Sequence, residues 1–238
     1  MEKLKIIGAP DSHETLINTL KLVDSCKILD APAGTGVLAK RLKEMGHDVH
    51  CADIDPGNFR LEGVPFTKVN LNERIDLPCE SFDTVVCANG VHRLFNLGSC
   101  LREFARVLRA NGSLFINFNN YASIEKRLRF LFYGSIDNAI NDPHCNQTID
   151  SPQANIRIAL LVPHLVNELR SAGFEVQSIR SAAVRKSDLI LAPFGWMFRF
   201  LSLLVPTSSY RRNHLSWANC SGVFPGGRYM LIEARKTK

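Results

Sequence analysis

The sequence predicts an α/β fold with a doubly wound, mostly parallel sheet, because short apolar runs alternate with amphipathic helices along most of the chain. The near-continuous apolar character of these runs is typical of parallel strands that are buried on both faces. A turn containing two glycines follows the first run, and an acidic residue ends each of the first two runs. Units of this kind bind nucleotide-like ligands at the carboxyl ends of their strands.

The pattern yields seven strands and five helices. The predicted strands are Lys27–Asp30, Asp48–Asp53, Phe66–Leu71, Phe82–Cys87, Ser113–Asn117, Phe174–Ile179 and Arg228–Ala234. The predicted helices are one capped by Asp11 with an apolar stripe of Leu16, Leu20 and Val23, then Val37–Glu44, Leu97–Leu108, Tyr121–Tyr133 and Leu165–Ala172. A turn is expected at Arg109–Gly112.

The chain of 238 residues is long enough for one α/β domain with appended pieces, so we expect a single domain over residues 1–238. Two stretches exceed ordinary connections between elements. Residues 121–160 contain a basic amphipathic helix and a polar loop that predicts a lid. Residues 183–227 form an apolar insertion between the last two strands.

The charged residues around the glycine turn discriminate between two classes of candidate ligand. Gly34-x-Gly36-x-x-Ala39 fits both the dinucleotide fingerprint and the looser turn of enzymes that use S-adenosylmethionine (SAM). Asp30 stands at the mouth of the turn, Asp53 and Asp55 end the next strand, and residues 28–39 contain no Lys or Arg. Carboxylates repel a pyrophosphate and attract the ammonium and sulfonium groups of SAM. The sequence favours SAM, and an NAD-binding oxidoreductase stays open as the alternative.

Several motifs together resemble the class I SAM-dependent methyltransferases, especially a bacterial branch whose first motif reads Leu-Asp-x-Pro-Ala-Gly-x-Gly. Here that motif is Leu29-Asp30-Ala31-Pro32-Ala33-Gly34-Thr35-Gly36. Further matching pieces follow in the same order over about residues 25–180: Ala52–Pro56, Asn70–Asn72, Ser81–Asp83, Arg106–Leu114, Phe118–Asn120 and Leu169–Phe174. The resemblance implies a Rossmann-like sheet of seven strands with an antiparallel last strand, methyl transfer from SAM, and S-adenosylhomocysteine as product.

The resemblance also assigns positions. Asp30 lies beside the amino group of SAM, Asp53 holds the ribose hydroxyls, and Asn70 accepts a bond from the adenine amino group. The cofactor-binding positions implied in this way are Asp30, Ala31, Gly34, Thr35, Gly36, Asp53, Ile54, Asn70, Leu71, Asn72, Cys87, Ala88 and Asn89.

The chain departs from that branch after the fourth strand. The branch often reads Glu-Gly-x-Glu-His-Leu where this chain reads Asn89-Gly90-Val91-His92-Arg93-Leu94, so both acids are missing. His92 becomes the candidate general base, and Asn119 and Tyr121 become candidates for orienting a polar acceptor. We expect a small-molecule or lipid- or saccharide-linked acceptor, methylated on oxygen. A catalytically silent SAM-binding protein is the second alternative.

Residues 189–205 are the most apolar stretch of the chain. The stretch is shorter than the roughly 20 apolar residues that span a bilayer, and Arg199 interrupts it. Three interpretations remain: a cap packed on the core, a wall for an apolar substrate, or a peripheral membrane contact through residues 187–212, flanked by basic pairs.

The composition of the chain indicates its cellular compartment and the kinds of partner it can bind. Seven cysteines without a C-x-x-C pair indicate reduced thiols, so we expect a cytoplasmic protein, with a peripheral location at the inner membrane face as an option. The formal charge of +6 permits an anionic partner without requiring one. We expect no metal, because His47 and His50 run into a strand whose side chains alternate. Nucleic acid is disfavoured as substrate, because the fourth strand lacks the motif of amino-methylating enzymes.

Overall fold

The structure, a computed structural model, describes residues 13–134, 136, 158–184, 186–212, 214–220, 222–223 and 226–237. Seven strands form one sheet in the order β3-β2-β1-β4-β5-β7-β6. The strands are β1 Lys27–Asp30, β2 Asp48–Asp53, β3 Phe66–Lys68, β4 Phe82–Ala88, β5 Leu108–Asn119, β6 Phe174–Ala182 and β7 Tyr229–Lys236. Strands β1 to β5 pair with one another in parallel, and β7 runs antiparallel to both β5 and β6. The predicted fold class is therefore confirmed, including the antiparallel last strand.

Eight α-helices occur in the described part of the chain: α1 Glu14–Leu20, α2 Val37–Glu44, α3 Leu97–Val107, α4 Ile124–Tyr133, α5 Val162–Ser171, α6 Lys186–Leu203, α7 Thr207–Arg212 and α8 Leu215–Ala218. Local capping explains several boundaries. Asn96 and Ser123 accept hydrogen bonds from the backbone N–H groups of Ser99 and Lys126, which start α3 and α4. Gly134 follows α4 in the left-handed conformation that ends a helix.

Apolar layers cover both faces of the sheet. Helices α3 and α5 supply Leu101, Phe104, Leu165 and Leu169 to one layer. Helices α1 and α2 supply Leu16, Leu20, Leu38 and Leu42 to the other. The central strand β1 is sandwiched between these layers, which is why Ile28, Leu29 and Asp30 are all buried.

The observed boundaries differ from the predicted ones where pairing, rather than local pattern, decides them. Strand β3 ends at Lys68, three residues before the predicted end. Strand β5 begins at Leu108, because residues 109–112 bulge out between the pairs Phe82–Leu108 and Thr84–Ser113. The turn predicted there is thus part of a longer strand, with Asn111 at a φ of +60°. The predicted Val23 position of the α1 stripe is exposed, since α1 ends at Leu20.

Two predictions fall on parts of the chain that the structure describes incompletely. The helix cap predicted at Asp11 lies outside the described residues, and so does the loop predicted as a lid apart from residues 134, 136 and 158–160. The apolar insertion contains α6, which includes Pro193. Among the helices described, none combines the length and the hydropathy that crossing a bilayer requires.

Candidate active site

A small cavity lies at the carboxyl ends of β1 and β4, beside the glycine turn that leads into α2. Its lining residues are His13, Asp30, Pro32, Ala33, Gly34, Thr35, Val37, Leu38, Ala88 and Asn89. The cavity volume is about 60 Å³, which is room for one end of a ligand rather than for a whole nucleotide. Five of the predicted cofactor positions thus share one cavity: Asp30, Gly34, Thr35, Ala88 and Asn89.

The carboxylate of Asp30 is the most unusual group in this cavity. It is completely buried, and no donor among the described residues reaches hydrogen-bond geometry with either of its oxygens. Burial raises the pKa of Asp30 to about 8, the neighbouring Asp53 carboxylate adds to the rise, and the backbone N–H of Ala39 opposes it. An ionised Asp30 in this position lacks a cationic partner, which an ammonium group in the cavity would provide.

Asp53 links the end of β2 to the glycine turn. Its Oδ2 accepts a hydrogen bond of 2.7 Å from the backbone N–H of Gly34, and its Oδ1 accepts one of 3.1 Å from Asp55. An ionised carboxylate offers about four lone-pair sites, so both oxygens retain capacity for hydroxyl donors. Ile54 follows directly and is half-buried.

Gly36 allows the segment after β2 to close over the turn. A Cβ on Gly36 would lie 2.7 Å from the Cβ of Leu61 and 3.0 Å from the ring of Phe59, and its φ of +87° also favours glycine. The backbone N–H of Arg60 donates to the carbonyl of Thr35 over 3.3 Å. Phe59 packs on Phe66 with ring centroids 4.6 Å apart, which anchors the segment to β3.

The segment Asn70–Asn72 already makes internal contacts. The amide oxygen of Asn70 accepts a bond of 3.1 Å from the backbone N–H of Asn72, and its Nδ2 donates to Glu73 over 2.7 Å. The amide oxygen of Asn72 accepts a bond of 2.8 Å from the backbone N–H of Phe95. Both asparagines therefore shape the chain around the site, and an adenine contact of Asn70 stays a prediction.

The end of β4 forms another side of the cavity. The backbone N–H of Asn89 donates to the carbonyl of Asn117 over 2.8 Å, and Asn89 has a φ of +56°. Its side-chain oxygen is buried and has no hydrogen-bond partner among the described residues. Cys87 is buried, and its pKa is raised to about 12 chiefly by that burial, so its thiol stays neutral beside Asp30.

The candidate catalytic residues lie next to this cavity along the chain but do not line it. His92 is buried in a 3-10 turn over Val91–Arg93, directly after β4. Asn119 ends β5 and donates to the hydroxyl of the buried Tyr121 over 3.2 Å. Asn120 is taken up structurally, because it donates to the carbonyl of Val223 and accepts from the backbone N–H of Ala122.

His13 is a lining residue that the sequence reading did not identify. It precedes α1, it is buried, and its Nδ1 has no hydrogen-bond partner among the described residues. Burial is the main cause that lowers the pKa of His13, so its ring is neutral near pH 7. Sequence offers little signal for this residue, because only the packing of α1 beside the glycine turn brings it to the cavity.

Comparison with known proteins agrees with this geometry. Residues 29–116 match the profile of a family described as "Methyltransferase domain". A SAM-dependent methyltransferase from Mesorhizobium loti superposes with a TM-score of 0.60 over 95% of this chain and 99% of that one, at 12% identity. The chain has the class I methyltransferase fold. A likeness at such low identity establishes the fold alone.

Two curated proteins match part of this chain in sequence. Demethylmenaquinone methyltransferase from Corynebacterium urealyticum is 33% identical over 99 residues, which are 41% of this chain and 43% of that protein. The mitochondrial ubiquinone biosynthesis O-methyltransferase from Homo sapiens is 26% identical over 200 residues, which are 75% of this chain and 51% of that protein. The chain thus spans about half the length, or less, of the curated relatives it matches.

The burial of Asp30 predicts a pH dependence of stability. The pKa of Asp30 is about 8 in the folded chain and 3.8 for an ordinary aspartate, as in the unfolded chain. Between pH 4 and pH 8 the folded chain therefore binds a proton that the unfolded chain has lost, and the free energy of unfolding falls as the pH rises through this range. The loss is up to about 6 kcal/mol at about 1.4 kcal/mol per pKa unit. Asp30→Asn should therefore have nearly the parent's free energy of unfolding at pH 4 and exceed it at pH 9.

Urea unfolding at both pH values checks this prediction. Asp55→Asn is the matched control, because Asp55 is only partly buried and its carboxylate accepts from the backbone N–H of Gly57. An Asp30→Asn variant that is less stable than the parent at pH 9 would show that Asp30 has a stabilising partner in the free protein.

Proposed function

We propose that this protein transfers a methyl group from SAM to a small-molecule acceptor, on oxygen. The observation that carries the proposal is the buried carboxylate of Asp30, which no donor among the described residues reaches in hydrogen-bond geometry and which faces a cavity beside the glycine turn. A buried anion without a partner is costly, and a bound cation offsets that cost. The ammonium group of SAM fits this requirement, and a pyrophosphate does not.

The remaining cofactor contacts follow from the same edge of the sheet. Asp53 is held by Gly34 and Asp55 in an orientation that leaves acceptor capacity for ribose hydroxyls, with Ile54 against the adenine. The proposed cofactor set is that of the sequence analysis, Asp30, Ala31, Gly34, Thr35, Gly36, Asp53, Ile54, Asn70, Leu71, Asn72, Cys87, Ala88 and Asn89. SAM supplies an electrophilic methyl group on a sulfonium.

The acceptor is placed beside the ends of β4 and β5. A hydroxyl acceptor loses its proton as it becomes methylated, and the imidazole of His92 is the proposed base that takes it. Asn119 and Tyr121, joined by their hydrogen bond, orient the acceptor. As the methyl group moves, the positive charge leaves the sulfur and the proton carries it to the imidazole of His92. Alignment of the two reactants contributes most of the acceleration.

The class of acceptor is supported by the relatives. The name of the first specifies demethylmenaquinone, and the name of the human protein specifies ubiquinone biosynthesis and an O-methyltransferase. A small molecule, including a lipid- or saccharide-linked one, is the corresponding acceptor for this chain.

We assign the chain to the branch with the Leu-Asp-x-Pro-Ala-Gly-x-Gly motif, as one domain over residues 1–238 with a lid-like insertion at 121–160 and an apolar insertion at 183–227.

Binding of SAM should release a proton. At pH 7 a carboxyl group with a pKa of about 8 is about nine-tenths protonated, and pairing with an ammonium group requires it to ionise. Calorimetric titration of the parent in two buffers of different ionisation enthalpy should therefore report the release of roughly 0.9 proton per SAM bound.

Substitutions at Asp30 and Asp55 test whether Asp30 is the group that releases this proton. Asp30→Asn should abolish the release and weaken SAM binding by about 10- to 100-fold, whereas Asp55→Asn should retain the release. A parent that binds SAM without releasing a proton, or an Asp30→Asn variant with the parent's affinity, contradicts the assignment of Asp30 to the ammonium group.

The role of His92 is tested through turnover. His92→Gln should lower the rate constant for SAM consumption with a reactive phenol, chosen from a panel, by about 10²- to 10⁴-fold while leaving SAM affinity unchanged. His164→Gln is the control, since His164 is an exposed histidine of α5. Equal loss in both variants refutes the base, and a parent that binds SAM but methylates no phenol indicates a silent SAM-binding protein.

A further inference from the structure

Among the side chains of helix α6 that the structure describes, small or polar ones are buried and large apolar ones are exposed. Asp188, Gly195 and Ser202 recur every seven positions, so they share one face of the helix, and that face is buried. Ile190, Phe194, Met197 and Leu201 recur at intervals of three or four, and these large apolar side chains are exposed. A helix on the surface of a protein in water turns its apolar stripe to the core. Helix α6 turns it outward.

The last turn of α4 continues this apolar surface. Helices α4 and α6 contact one another, and Phe130, Leu131, Phe132 and Tyr133 are all more than half exposed. We call the two groups together the α4–α6 face. Its large exposed side chains are Phe130, Leu131, Phe132, Tyr133, Ile190, Phe194, Trp196, Met197, Phe198, Phe200, Leu201, Leu203 and Leu204.

A surface of this composition requires an apolar environment. Twelve large apolar side chains on two adjoining helices, with Leu204 directly after α6, exceed the scattered hydrophobic residues that are normal on a soluble protein. The interpretation of residues 189–205 as a cap packed on the core does not apply to the exposed side chains, because they point away from it. Helices that lie in the interface between a membrane and water expose large apolar side chains on one side in this way.

Charge at the edges of the α4–α6 face identifies that environment. Lys186 lies at the start of α6, and Arg211 and Arg212 end α7, all three exposed. The guanidinium of Arg199 lies 5.7 Å from the ring of Trp196, and that of Arg129 lies 5.9 Å from the ring of Tyr133. Aromatic and basic side chains in close association are typical of segments at the boundary between water and anionic lipid.

The α4–α6 face adjoins the proposed acceptor side. Helix α4 starts five residues after Asn119. A Cβ on Gly226 would lie 4.0 Å from the Cβ of Ser123 and 3.9 Å from that of Asp188, so the first turns of α4 and α6 meet there. Gly226 itself lies three residues before β7, whose Tyr229 pairs with Asn119. The apolar helices therefore extend from the same corner of the sheet as the candidate acceptor residues.

We infer that the α4–α6 face docks on the surface of a bilayer with anionic headgroups and brings the acceptor side to it. The side chains enter the interface without spanning the bilayer, and the basic residues contact the headgroups. This inference rests on the proposed function in one respect, that the acceptor is then an amphiphile held in the bilayer by an apolar tail, with its hydroxyl-bearing head at the surface.

Flotation of the whole protein with vesicles tests the docking. The parent should float with vesicles of equimolar phosphatidylcholine and phosphatidylglycerol, and more weakly with phosphatidylcholine alone or at high salt. Leu203→Glu on α6 and Phe132→Glu on α4 should each lower the partition coefficient by about tenfold or more, because each puts a charge into the interface. Leu22→Glu is the matched control, since Leu22 is 86% exposed, compared with 67% for Leu203, and lies outside this face.

The outcomes separate the alternatives. A parent that does not float with anionic vesicles, or variants on both helices that float like the parent, overturn the inference. A parent that sediments as a dimer and becomes monomeric through Leu203→Glu assigns the face to a second copy of the chain and likewise overturns it. SAM affinity, measured by calorimetry in the same variants, should be unchanged. A parent that floats but does not bind SAM would support the docking and contradict both the proposed function and the amphiphilic acceptor that rests on it.

Discussion

The site depends on one conflict, that between burial and charge at Asp30. Strand β1 lies in the middle of the sheet with an apolar layer on each side, so its last residue is removed from water as completely as Ile28 and Leu29. A carboxylate there has no contact with solvent and no donor in hydrogen-bond geometry among the described residues, and its pKa rises to about 8 although the backbone N–H of Ala39 opposes the rise. The free protein therefore holds Asp30 mostly neutral at pH 7, and the group becomes a stable anion when a cation arrives.

The parallel sheet brings the other groups to that carboxylate. Strands β2, β1, β4 and β5 all end at the same edge, which places Asp53, Asp30, Asn89 and Asn119 in a row across the sheet. The hydrogen bond from Gly34 to Asp53 joins two of these strand ends, and that from Asn89 to the carbonyl of Asn117 joins two others. A donor and an acceptor molecule bound along this row would meet near the ends of β4 and β5.

Local pattern was sufficient for the fold class and for the strand, turn and helix that surround Asp30. Strand β1, the glycine turn and α2 were predicted residue for residue, because backbone conformation there follows from glycine, apolar periodicity and the buried strand. Tertiary contacts decided what was missed. The bulge in β5 depends on its pairing with β4, and Asn70 is drawn into contacts with Asn72 and Glu73. His13 reaches the cavity only through packing of α1, and the reversed face of α6 is invisible to a composition that shows only that the segment is apolar.

The central claim is that the cavity beside the glycine turn was shaped for a cationic methyl donor. Side-by-side calorimetric titration of the protein with SAM and with reduced NAD tests it most directly. The account predicts saturable binding of SAM at a single site and no measurable heat from reduced NAD, because the Asp53 carboxylate repels a pyrophosphate and the cavity lining contains no Lys or Arg to pair with one. Binding of reduced NAD with equal or higher affinity than SAM would contradict it.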